Sequence, residues 1–141
     1  MSAGAAVAGA VSFVWLGMVL AISFLETPLK FRAPGVTIPI GLAVGRIIFR
    51  ALNVVEVVLG LTLAVTIAAG AFPSWVLTWF VMVAVVLVGQ LAVIRPRLNR
   101  RSDRVLAGEN LPRSRVHLAY IALEVVKAGS LIALGSSILT G

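Results

Sequence analysis

From Val57 to Ile94 the chain runs for 38 residues without one Asp, Glu, Lys or Arg. As a single helix that run would reach about 57 Å at 1.5 Å per residue. A bilayer's hydrocarbon is only about 30 Å thick. The run must therefore turn back on itself. Gly70-Ala71-Phe72-Pro73-Ser74 marks the place, because it joins turn residues to a proline and a serine suited to begin a new helix. Two membrane spans follow, near residues 46–71 and 74–95.

Ala3 to Leu25 is also free of charge, and gives a span over about 3–26. A fourth runs over about 115–139. Lipid offers no partners to backbone N–H and C=O groups, so each span is expected to be helical. The composition agrees: 60% of residues are hydrophobic and 12% charged, against about 25% charged in ordinary soluble domains. The expected architecture is an all-α membrane protein, one domain over 1–141, built as a four-transmembrane-helix bundle. Ala3-Gly4-Ala5-Ala6 has the small residues of a leader cleavage site. It precedes the apolar run and lacks a basic flank, so the first span reads as retained.

Lys and Arg set the expected orientation. Lys30, Arg32, Arg46 and Arg50 follow the first span, and Arg95, Arg97, Arg100, Arg101, Arg104, Arg113 and Arg115 surround the loop after the third. Eleven of the twelve basic residues thus sit at one end, and Lys127 is the exception. This places both loops in the cytoplasm, both termini outside it, and the protein in a plasma (inner) membrane. The net charge of +7 points to anionic lipid headgroups rather than nucleic acid, since it flanks apolar spans. Lys30, Arg32, Arg95, Arg97, Arg100 and Arg101 are the expected headgroup contacts. Pro28 is expected to end or kink the first span. The apolar stretch Val36 to Gly45 either lies in the interface or forms the first turns of helix two, with Pro39 early in it.

The halves resemble each other weakly. Sliding the first over the second by 68 residues brings Pro28 onto Pro96, Arg32 onto Arg100, Glu56 onto Glu124, and Val57-Val58 onto Val125-Val126. A real duplication would be a parallel repeat of two helical hairpins; any two membrane hairpins would share much of the pattern.

Ionisable groups inside a span are expensive and mark candidate sites. Span two carries Arg46, Arg50, Asn53 and Glu56, within an arc of roughly 120° at 100° per residue. Span four carries His117, Tyr120, Glu124 and Lys127, within roughly 80° by the same periodicity, and span three adds Gln90. The simplest arrangement packs spans two and four together with these faces inward. Lys127 then pairs with Glu56 or with Glu124, and the remaining carboxylate takes a proton or reaches toward Arg50 or His117. Such a cluster serves either as glue for a bundle or as a ligand or proton site. His117 with Glu124 offers two metal donors on one face, but a lone histidine near the headgroups is more often a hydrogen-bonding group. Trp75 and Trp79 read as interfacial anchors, Trp15 as packing. Gly41, Gly45, Gly129 and Ser130 read as points of close helix contact.

Trp15-Leu16-Gly17 followed by Phe24-Leu25-Glu26-Thr27-Pro28-Leu29-Lys30-Phe31 resembles the small four-helix membrane proteins related to human transmembrane protein 205. Those proteins share a tryptophan-x-glycine helix ending in proline and phenylalanine, a basic segment after helix three and a histidine opening helix four. The short second loop departs from the human type. The resemblance implies a multi-pass protein tied to metal or drug tolerance, and transfers no functional residue. Val55-Glu56-Val57-Val58-Leu59-Gly60-Leu61-Thr62-Leu63 is similar to the DoxX-like four-helix proteins, which would imply a redox-linked accessory role.

The chain has no cysteine, which excludes thiol catalysis and thiolate metal sites. It shows no nucleophile–base constellation, phosphate loop, metal cluster or nucleotide fingerprint. The expectation is therefore not an enzyme and without cofactor. It is an accessory or scaffolding membrane subunit, as a homo-oligomer or in a larger complex. The alternative is a small oligomeric transporter or proton-coupled carrier using the mid-membrane carboxylates.

Overall fold

The computed structural model describes residues 1–109 and 115–141; Arg113 lies outside them. Among the described residues every regular element is helical. Four continuous helices are long and apolar enough to cross a membrane: α1, Ala3–Lys30; α2, Ile38–Ala69; α3, Ser74–Leu106; and α4, Arg115–Thr140. The chain is a multi-pass membrane protein.

The helix ends follow from local chemistry. The Ser2 side chain caps α1 by accepting the Ala5 N–H at 3.0 Å, and Thr37 caps α2 by accepting the Ile40 N–H at 3.3 Å. The turn between α2 and α3 falls where the glycine and proline at 70 and 73 placed it.

Helix α2 starts at Ile38, so of the two expectations for Val36–Gly45 the first turns of helix two is the one realised, with Pro39 in its first turn. Two other boundaries differ from those expected. Helix α1 runs on to Lys30, and Pro28 does not end it. The basic segment 95–104 is the continuation of α3, not a loop. One device explains the last two. Each proline is preceded by a π-helical segment, Leu20–Glu26 before Pro28 and Gln90–Ile94 before Pro96. Proline lacks an N–H, and its ring collides with the carbonyl four residues back. Widening the turn beforehand shifts the hydrogen bonds to i→i+5. Accordingly the Thr27 N–H and the Thr27 hydroxyl both reach the Ile22 carbonyl, and the Arg95 N–H reaches that of Gln90.

The helices are arranged in a ring in chain order. Helix α4 packs most closely on α1 and α3, and α1 on α2, while α2 and α4 sit diagonally with almost no close backbone approach. The interior has an apolar layer toward the termini, including Trp15, Leu63, Val83, Leu131 and Leu134. A smaller group of Phe49, Leu52 and Tyr120 lies toward the basic end. Large apolar side chains cover the outside, for example Val54, Val58, Leu61 and Val65 along α2. A monomer in water rarely exposes a contiguous patch of more than a few hundred Å²; in hydrocarbon this surface is the solvated one.

Glycines give the first hairpin its tight closure. A side chain at Gly41 would strike the Phe31 ring, and one at Gly45 would meet Lys30 Nζ at 2.7 Å. These positions therefore admit side chains from the end of α1 rather than another helix backbone. Gly129 has nothing near it; in α4 the close approach is at Gly135, against the Phe13 ring.

Candidate functional site: a closed ion cluster and an open basic groove

The polar residues of the spans separate into two places. The first is a cluster at the bundle axis. Lys127 lies twelve residues into α4, about 18 Å from its start, and is fully buried. Its ammonium donates to Glu56 Oε2 at 2.5 Å and to Gln90 Oε1 at 2.8 Å, and is ion-paired with Glu124 Oε1 at 2.6 Å. The Gln90 amide closes the ring by donating through Nε2 to Glu124 Oε1 at 2.8 Å. Two further donors come from α1. Trp15 Nε1 donates to Glu56 Oε2 at 2.9 Å, and the Ser23 hydroxyl donates to Glu124 Oε2 at 2.5 Å. All four helices therefore contribute to one network.

The π-helical segments belong to this design, since Ser23 lies in one and Gln90 in the other. π-Helical turns occur mostly as short bulges inside α-helices, frequently at functional sites. Here both deliver a neutral polar group to Glu124.

The expected pairing of Lys127 with a carboxylate is present, and both carboxylates share it. The expected packing of spans two and four against each other is not: they bond across the diagonal through extended side chains, with Trp15 and Gln90 filling between. Nor does the second carboxylate turn to Arg50 or His117. Two carboxylates on one ammonium leave a formal excess of one negative charge, and Glu56 Oε1 is buried without a hydrogen-bond partner among the described residues. Buried polar atoms without partners are rare, which singles out this oxygen.

The second place is a groove of about 810 Å³ between the basic halves of α2 and α3. Arg46, Arg50 and Asn53 open onto it, so three of the four polar residues on the α2 face line this groove and only Glu56 enters the cluster. The reason is angular. An arc of roughly 120° is wide enough to straddle two interhelical spaces. Arg46 is ion-paired to Asp103 of α3, whereas Arg50 is exposed and makes no ion pair among the described residues. Arg95 forms one wall, its guanidinium 4.7 Å from the ring centroids of both Phe49 and Tyr120. Those rings meet edge to face at 5.7 Å. Tyr120 thus supports Arg95.

His117 faces outward at the start of α4 and joins neither place, so it does not meet buried Glu124 as a metal pair. Among the expected headgroup contacts, Arg32, Arg97 and Arg100 are exposed and Arg101 is half-buried. Lys30 and Arg95 turn inward instead. Lys30 lies 3.6 Å from Glu26, with only 8% of its side chain exposed, and Arg95 is held in its aromatic slot. Trp75 and Trp79 are exposed near the far end of α3.

Sequence reasoning missed Trp15 and Ser23. A mid-span tryptophan carried a usable signal, because a buried indole N–H needs an acceptor. Comparison with protein-family models, with characterised proteins and with solved structures returned no match.

Proposed function

We propose that the chain is an accessory or scaffolding subunit of a membrane assembly. One observation carries this reading: the cluster is closed on itself. Glu56, Glu124 and Lys127 are at most 1% exposed, and the groove lining stops short of them. A carrier whose coupling groups are these carboxylates needs a hydrated path to them, whereas a buried network drawing one residue or more from every helix fixes how the bundle is assembled. Gentle extraction from the native membrane, followed by mass spectrometry of what co-purifies, tests it. Stoichiometric protein partners are expected. A lone oligomer that carries a small molecule in stoichiometric amount overturns it.

A second reading, a small oligomeric proton-coupled carrier, is favoured by the excess carboxylate and by the unpartnered Glu56 Oε1. A transient opening that hydrates this oxygen would let it exchange a proton. The discriminating variants are Glu56→Gln and Glu124→Gln: under the accessory reading they alter assembly and no flux, and a flux defect in a normally assembled variant decides for the carrier.

The positive-inside rule supports a topology with both termini outside the cytoplasm of a plasma (inner) membrane. A parallel hairpin repeat gains support from the π-helical segments, which end at Glu26 and Ile94, both two residues before the aligned prolines. The likenesses to the transmembrane protein 205 and DoxX-like families rest on the short motifs around Trp15 and Glu56, and anionic lipid contact rests on the charge at the basic end.

A further inference from the structure

We infer that the groove between α2 and α3 is a binding site for one anionic phospholipid of the leaflet at the basic end. The inference stands apart from the accessory reading, since either kind of protein could hold such a lipid.

The groove is built like an amphiphile. Its outer part carries Arg46, Arg50, Arg95 and Asn99, and its deeper part is walled by residues such as Val57 and Leu91. Arg50 and Val57 are seven residues apart, about 10 Å along the helix, so the change from basic to apolar runs along the membrane normal. A phosphate at the basic level would continue into an acyl chain at the apolar level. A soluble anion would leave the lower half unfilled, and a neutral lipid would leave the arginines unanswered.

Arg95 supplies an independent observation. Its Nε and Nη2 are buried and make no hydrogen bond among the described residues. The two aromatic rings hold the guanidinium plane fixed. Guanidinium is the side chain best matched to phosphate oxygens, through its planar fork of donors. A pre-oriented arginine beside the exposed Arg50, which has no ion pair among the described residues, suits an anionic group. The Arg46–Asp103 pair fastens the two walls together above it. The volume lies within the few hundred to about 1,000 Å³ usual for ligand pockets, enough for a headgroup and the upper part of one chain.

The test uses the whole purified chain, stripped of lipid in detergent, with native mass spectrometry as readout. Dioleoyl phosphatidylglycerol is expected to add once per chain, in preference to dioleoyl phosphatidylcholine. Arg50→Gln is expected to weaken that adduct by about fivefold, the effect of one arginine near an anionic headgroup. Val57→Trp changes no charge, faces outward and fills the apolar part; it is expected to weaken the adduct as much. Arg100→Gln, outside the groove, is expected to leave it unchanged. The proposal falls if Arg100→Gln matches Arg50→Gln, or if Val57→Trp has no effect, because either result describes general surface charge. It also falls if inorganic phosphate displaces the lipid, or if the particle contains two chains that separate on Arg50→Gln. That last outcome would assign the groove to a second copy.

Discussion

The axis of the bundle and the groove beside it use the same ingredients, charged side chains set among apolar helices, and treat them in opposite ways. At the axis, Lys127 is enclosed by protein, donating to Glu56 and Gln90 and ion-paired with both Glu56 and Glu124. In the groove, Arg50 has no ion pair among the described residues and Arg95 keeps two buried nitrogens unbonded. Removing a partner from a buried network leaves a desolvated charge with nothing to answer it, whereas charges on an open groove have given up little of their solvation. The contrast separates charge that specifies the structure from charge that addresses the surroundings.

The sharpest way to break the contrast is Lys127→Met, which leaves two carboxylates facing each other at the bundle axis. Breaking a buried ion pair by removing one partner costs about 3–5 kcal/mol, so the variant should lose its monodisperse form in detergent or unfold far earlier on heating. Adding Glu56→Gln to that variant should recover part of the loss. Glu56→Gln alone should cost less than Lys127→Met, since it removes the surplus charge and retains an acceptor. A result in the reverse order would mean that the cluster is not organised around the ammonium.

Trp15→Phe keeps the aromatic bulk and deletes the N–H that Glu56 Oε2 accepts. The expected cost is about 1–3 kcal/mol, typical of a lost hydrogen bond to a charged group, read as a lower unfolding midpoint. Cysteine labelling then tests how dry the axis is, on a chain with no cysteine of its own. Asn53→Cys, in the groove, should react with a water-soluble maleimide, and buried Ser130→Cys should not. Rapid reaction at Ser130→Cys would transfer weight to the carrier. The smallest effect belongs to the groove: Arg50→Gln should move the unfolding midpoint by less than about 0.5 kcal/mol equivalent. Raising salt should weaken lipid retention there and leave the axis untouched, because screening acts on exposed charges far more than on buried pairs.

Much of the fold was legible from the chain. Charge is rare enough in spans that its absence located four helices, and the Gly70–Pro73 turn lay where glycine and proline stand together. Glu56, Gln90, Glu124 and Lys127 were found for the same reason in reverse. What could not be read were adjacencies and partners. Facing polar arcs suggested that helices two and four touch, but Lys and Glu side chains reach across a diagonal, so a shared network does not require neighbouring backbones. Trp15 and Ser23 carry no charge and blend into an apolar span. At Pro28 and Pro96 the helices run on past the proline because proline rules assume a regular α-turn upstream, and the π-helical segments remove that assumption. The split of Arg46, Arg50 and Asn53 from Glu56 depended on a few tens of degrees, finer than periodicity resolves.

The sharing of the cluster among all four helices has a consequence for how the protein is made. Membrane hairpins enter the bilayer in order of synthesis, and the two halves arrive unequally equipped. The second hairpin brings Lys127, Glu124 and Gln90 together and can answer most of its own polarity on arrival. The first brings Glu56 with Trp15 as its only donor from that half. In the complete structure the ammonium that answers Glu56 comes from the last helix. Completion of the chain is therefore what makes the first half at home in the membrane, and a truncated product would advertise itself through that one uncovered carboxyl.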